Sequence, residues 1–379
     1  MANKKKQKMS NVTFFVICLL VGGLVGLILG TVGPDLEFLN TMTGADIVVL
    51  LVSLVIWFFL GIIVHELGHL VCGWLSGYTF GFFKLGSLSW FTEDKEIKFK
   101  RSKNFAVGQC VMIPPDNEAE FKFLLYNLGG VIFNFLTTLA LLLLWYALPS
   151  NHLFRIFAIA GVGMNLLLGI TNIIPLRSQG NDGANIASAL KSADGRRALY
   201  LTLYINGQLL KGKRLKEIDE EIISVYGKLS LENHLVGNAL MFEIEYLLET
   251  GQAEKALAIA QKINTDNFPI IHGHLFKLFQ LLIYVSYLPD FDKARAIYED
   301  ENFQDFLKMK LPSVSSVLPA YEFFVNNNYE KAEEMLMHVK NDVANIPNKG
   351  ERLSLMEYLE QLEEKIAERK ESQLQDMAC

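Results

Sequence analysis

Residues 61–74 read GIIVHELGHLVCGW and set His65, Glu66 and His69 inside an apolar run. On a helix, histidines four apart share one face, so both imidazoles can reach a single metal ion. Glu66 sits near the same rim. Its carboxylate can take a proton from a water that the ion has acidified. Ionisable groups cost about 2.5–3.5 kcal/mol each at the centre of a membrane helix, so they need a partner or a function there. The competing reading, a histidine pair packed on a soluble helix, fits poorly with so long an apolar run.

The elements that must carry these residues read as membrane spans. Four segments, at roughly 11–32, 46–75, 121–148 and 153–174, are long and apolar enough to cross a bilayer as helices. Lys4, Lys5, Lys6 and Lys8 precede the first, which reads as a retained anchor rather than a cleaved signal peptide. The segment GPDLEFLNTMTGAD has no Lys or Arg, whereas 76–120 carries Lys84, Lys95, Lys98, Lys100, Arg101 and Lys103. Positive residues mark the cytoplasmic side. The expectation is a multi-pass protein of the cell membrane with both termini cytoplasmic and the turn PSNH outside, Arg155 being a weak vote against. From Ile47 to His65 a helix climbs about 27 Å at 1.5 Å per residue, which puts the pair in the inner leaflet.

A zinc site needs a third protein ligand and an open position for water. The fourth span runs into TNIIPLRSQGNDGANI, where Pro175 ends the helix and Asp182 arrives at the same leaflet as His65. A loop at membrane depth is tolerated where it lines a water-filled cavity. An ordinary turn at Asn181–Asp182–Gly183 is the alternative reading of the same residues.

Together these pieces resemble the site-2 protease family of intramembrane zinc metalloproteases, over residues 45–190. HELGH fits the first motif of that family, which has the H-E-x-x-H metalloprotease spacing. The resemblance implies one zinc ion held by His65, His69 and Asp182, with Glu66 catalytic. NIIPLRSQGNDG is similar to the N-x-x-P…D-G motif, although the family places its aspartate closer to the proline with a leucine or methionine before it. Here LRSQGN intervenes and Asn181 stands before Asp182; Asp116 and Glu118 are fallback carboxylates. GGVIFN, 129–134, is similar to the Gly-rich third-helix motif, and 80–115 looks like the β-hairpin that accepts substrate as an added strand. Asn134 and Asn172 can serve substrate or oxyanion, or bond neighbouring helices. Gly129 and Gly130 read as a close helix approach. The implied substrates are membrane-spanning or signal-peptide-like proteins.

Composition divides the chain. Overall 51% of its 379 residues are hydrophobic and 20% charged, but the apolar runs lie before residue 190 and most of the charge after it. A net charge of −6 with no basic patch argues against nucleic acid. The four cysteines form no CxxC pair, so neither a disulfide framework nor a cysteine metal site is expected; Cys110 reads as a loop residue. Residues 191–379 read as a cytoplasmic α-helical domain. LLETGQAEKALAIAQ, SYLPDFDKARAIYED and FFVNNNYEKAEEMLM align without gaps, setting Ala256, Ala294 and Ala332 at a constant spacing, with Tyr246, Tyr284 and Phe324 before them. These are similar to tetratricopeptide helix pairs, with a longer period, and imply a concave surface for a peptide or protein partner. His272 and His274 read as loop residues, and 351–375 as a charged amphipathic helix.

The expected fold is therefore mainly α: a polytopic membrane helical bundle over 1–190 with a small β-hairpin insertion, then helical repeats over 191–379. The rival functional reading is a catalytically silent membrane scaffold or immunity protein. A metal transporter would want polar residues along several spans, and two of these spans are nearly bare.

Overall fold

The computed structural model describes residues 23, 42–94, 96–148, 152–176, 180–264, 268–309 and 311–378. The segment at 11–32 therefore lies outside the described residues, apart from Gly23. The described chain is mainly helical and divides into two compact units. One holds the described residues up to Leu85 together with Val107–Lys191; the other holds Gly86–Ala106 and Ser192–Cys379.

The first unit is built on three long helices, α1 (Gly44–Leu75), α2 (Phe123–Ala147) and α3 (His152–Ile173). Among the described residues these are the helices long and apolar enough to cross a membrane. Thr43 and Asp46 start α1 with a reciprocal capping box, the Thr43 N–H donating to Asp46 Oδ2 at 2.8 Å. Gly77, at φ +85°, turns the chain out after Ser76. The polarity of this unit is inverted relative to a soluble protein. Leu51, Val55, Leu136 and Leu143 are each more than half exposed, while His65, His69, Asn134 and Asn165 are buried. Apolar outside and polar inside is the arrangement a hydrocarbon solvent favours.

Glycines set how closely α1 and α2 approach. A Cβ on Gly68 would lie 2.2 Å from the Gly129 carbonyl oxygen, and one on Gly129 would lie 2.4 Å from that of Gly68. Backbone cannot yield as a side-chain tip does, so Gly68→Ala must push the helices apart. The expected result is a stability loss of about 1–3 kcal/mol, read as a lower thermal midpoint in detergent. An unchanged midpoint would contradict the close crossing. Further out, Trp57 fills the bundle and donates from Nε1 to the Phe157 carbonyl at 2.9 Å, with Gly161 accommodating its indole.

Between α1 and α2 runs the expected hairpin, β1 (Thr79–Glu93) and β2 (Glu96–Ile113), paired as a two-stranded sheet. Cys110 is a buried residue of β2 rather than a loop residue, because the strand continues to Ile113. The distal part, 86–106, groups with the second unit, a division that a boundary at 190 does not foresee. Its charges explain this. Glu93 bonds Arg352, Asp94 pairs with Lys349 at 2.8 Å, and Lys100 donates to the Ala344 carbonyl at 2.9 Å. After α3, a short helix α4 (Asp182–Lys191) closes the first unit.

The second unit contains α5 (Ala193–Leu210), the one-turn α6 (Glu220–Ile223), α7 (Val236–Glu249), α8 (Ala253–Lys262), α9 (Ile270–Ser286), α10 (Phe291–Tyr298) and α11 (Glu301–Leu307). The one-turn α12 (Pro312–Ser315), α13 (Leu318–Phe324), α14 (Tyr329–Val343) and the terminal α15 (Lys349–Ala378) follow. Ala256, Ala294 and Ala332 are fully buried on α8, α10 and α14. Each one's N–H bonds the residue four before it, Gln252, Asp290 or Asn328, at 3.0–3.1 Å. Those three residues are the N-caps of their helices. Gly251 and Asn327, one before two of these caps, both adopt left-handed φ. His272 and His274 do not lie in a loop. Both belong to the first turns of α9, with His272 buried and His274 stacked on Phe306 at 5.2 Å. The apolar run that follows them extends the helix back to Ile270.

Candidate metal centre

His65 and His69 lie on the face of α1 turned towards α2, and each has its Nδ1 fixed by an acceptor. His69 Nδ1 is 2.8 Å from the Tyr126 carbonyl, which can only accept, so Nδ1 carries the proton. His65 Nδ1 is 2.7 Å from Asn134 Oδ1. A chain of amides assigns that oxygen. Asn165 Nδ2 donates to the Gly161 carbonyl, leaving its Oδ1 to accept from Asn134 Nδ2 at 2.9 Å. Asn134 Nδ2 also donates to the Gly61 carbonyl at 3.1 Å, so its Oδ1 must face His65. Both imidazoles therefore present a bare Nε2.

Those two nitrogens point at each other and at a carboxylate. His65 Nε2 and His69 Nε2 are 3.2 Å apart, and Asp182 Oδ2 lies 3.0 Å from the first and 3.3 Å from the second. Three acceptors crowded in this way repel unless a cation lies among them. Ligand atoms about 2.0–2.1 Å from a tetrahedral zinc are separated by about 3.3 Å, so the triangle fits zinc in both size and donor type. Among the described residues this is the group of His, Cys, Asp and Glu that converges on one point. Metal ligation requires the ionised form of the Asp182 carboxyl and the neutral form of both imidazoles.

Comparison with protein-family models, with curated proteins and with solved structures finds no match. The chemistry of the site therefore rests on its own residues.

Asp182 reaches the pair through the residues around it. Asn181 ties the preceding loop at both ends: its Oδ1 accepts from the N–H groups of Leu176 and Ala184, and its Nδ2 donates to the carbonyls of Thr171 and Ile174. The polar residue that departs from the family pattern is what anchors the longer loop. Gly183 is needed next, because a Cβ there would sit 2.2 Å from the Ile173 carbonyl oxygen. Gly130 does more than let helices approach. A Cβ on it would lie 2.4–2.5 Å from three atoms of the His65 ring. The imidazole lies flat on the bare backbone of α2.

Glu66 stands apart from the triangle. Its half-buried carboxylate accepts the Cys110 backbone N–H of β2. Gly108 permits that contact, since its Cβ would fall 2.9 Å from Glu66 Oε1.

The two asparagines differ. Asn134 is fully buried, and its amide is occupied by His65, Gly61 and Asn165, so it orients the His65 ring and leaves no donor for substrate. Asn172 donates to the Leu168 carbonyl of its own helix at 3.0 Å. Asp116 and Glu118 lie outside the converging group. Sequence reading missed Asn165, whose polar side chain in an apolar span was a visible signal, and the Tyr126 carbonyl and Cys110 N–H, which as backbone groups carry none.

Proposed function

We propose that this chain is an intramembrane zinc metalloprotease of the site-2 protease kind. It hydrolyses peptide bonds in membrane-spanning or signal-peptide-like proteins from a site in the inner leaflet. In this reading the segment at 11–32 forms a fourth span, both termini are cytoplasmic, and the second unit is a tetratricopeptide-like array. The observation that carries the reading is the triangle of His65 Nε2, His69 Nε2 and Asp182 Oδ2, 3.0–3.3 Å on each side, buried in a bundle whose outer face is apolar.

The chemistry a zinc ion supplies in such a site is acidification of one water and polarisation of the scissile carbonyl. The protein does the rest. Asn134 and the Tyr126 carbonyl keep both imidazoles in the tautomer that offers Nε2. Glu66 accepts the proton from the attacking water and returns it to the leaving amine. The Cys110 N–H holds the Glu66 carboxylate in place for both transfers. The hairpin offers an extended edge along which a substrate strand can add. A helical substrate has its backbone already hydrogen-bonded, so it must unwind locally before attack.

The test is reconstitution of the purified chain in liposomes with a single-pass substrate. About one zinc per chain is expected, with cleavage stopped by a zinc chelator and restored by zinc. Replacing Gly or Pro in the substrate span with Leu should slow the cut. Stoichiometric zinc without any cleavage would favour the silent scaffold, and absence of zinc would remove the reading altogether.

A further inference from the structure

The second unit holds a cavity of about 470 Å³ among α5, α7, α9, α12 and α15. Its walls are mostly apolar, with Leu209, Leu248, Leu278, Phe279 and Leu282 among them. Into this surface project three carboxylates, Glu245, Glu249 and Glu351, and among the described residues no Lys, Arg or His lines it. Glu249 accepts the Lys216 backbone N–H at 2.9 Å. Among the described residues, the carboxylates of Glu245 and Glu351 have neither an ion pair nor a hydrogen bond.

The cations that flank the lining residues Leu215 and Glu351 in sequence are engaged elsewhere. Arg214 and Lys216 pair with Glu357 at 3.0 and 2.9 Å, Lys349 pairs with Asp94, and Arg352 bonds Glu93. Removal from bulk water, with the charges of Glu351 and Glu249 added, pushes Glu245 up to about 8; the same burial pushes Glu351 up to about 7. Unpaired carboxylates in an apolar wall are costly to keep charged, and a ligand that brings a cation removes that cost.

We propose that this cavity binds a linear peptide segment in which a lysine or arginine stands between apolar side chains, its cation seated at Glu245 and Glu351. The leucine and phenylalanine walls take the flanking side chains. Asn238 also lines the cavity, and its side-chain amide, which bonds none of the described residues, is suited to a peptide backbone. A volume of this size accommodates a few residues rather than a folded partner. Basic residues beside apolar ones are the chemistry of the cytoplasmic flank of a membrane span. That a substrate flank is the natural occupant rests on the protease reading; the ligand chemistry does not.

The experiment uses the full chain carrying Glu66→Gln, so that no probe is cut, and reads fluorescence anisotropy. One probe is a labelled, end-capped Ser-Leu-Lys-Phe-Lys-Leu-Ser peptide; the other has both lysines replaced by glutamine. The lysine peptide should bind at least about tenfold tighter than the glutamine peptide. A Glu245→Gln/Glu351→Gln double variant should lose that preference while keeping its zinc content. Equal binding of the two peptides to the unaltered cavity, or an undiminished preference in the double variant, overturns the proposal. Displacement by spermidine at the same concentration as unlabelled peptide also overturns it, in favour of a small polyamine.

Discussion

Glu66→Gln is expected to lower the rate of substrate cleavage by about 10²–10⁴-fold, the usual contribution of a general base, while zinc stays at one per chain. The side chain is nearly isosteric. Its amide oxygen still accepts the Cys110 N–H, so β2 keeps its place against α1. What is lost is the ability to take a proton. The geometry separates this role from ligation, because the converging atoms belong to His65, His69 and Asp182 and not to Glu66. Zinc content and cleavage measured on the same preparation check both halves. Loss of zinc together with activity would make Glu66 a ligand, and unaltered cleavage would mean that another group moves the proton.

Much of the first unit could be read before it was seen. The apolar runs expected at 46–75, 121–148 and 153–174 become helices 44–75, 123–147 and 152–173. Length and hydropathy decide such elements locally, so no tertiary information was needed. The histidine pair was legible for the same reason, since a spacing of four is a property of one helix. What escaped was everything decided by contact across elements. Gly130 reads as a packing residue in GGVIFN, and only the position of the His65 ring makes it part of the site. Asn181 reads as a departure from a pattern, yet its four hydrogen bonds hold the loop on which Asp182 depends. The tip of the hairpin lies far in sequence from Lys349 and Arg352, and no local pattern joins them.

The same distinction explains the histidines of α9. A pair flanked by glycine and proline has turn-like neighbours, but the apolar residues after it demand a helix. Burial of Phe276, Leu281 and Ile283 extends that helix back through His272. Tertiary burial outweighs the local turn signal. For Ala256, Ala294 and Ala332 the reverse holds. Each is fully buried on its helix, and their constant spacing was visible in the sequence.

Asp182→Ala should release zinc, weakening its retention by more than about 100-fold, because loss of a mere supporting partner already costs about 10–100-fold. Removing the carboxylate leaves two neutral imidazoles, their Nε2 atoms 3.2 Å apart, without the third converging donor. Asp182 also opens α4, where the positive end of the helix dipole favours an anion. Asn181→Ala separates ligand from scaffold. It keeps the carboxylate but frees the loop from Thr171, Ile174, Leu176 and Ala184, so zinc should be held more weakly than in the unaltered chain and more tightly than in Asp182→Ala. Chelator competition on the three proteins gives that order directly. If Asp182→Ala retains zinc as firmly as the parent, the carboxylate beside the histidines is only their hydrogen-bond partner, and the third ligand must come from elsewhere.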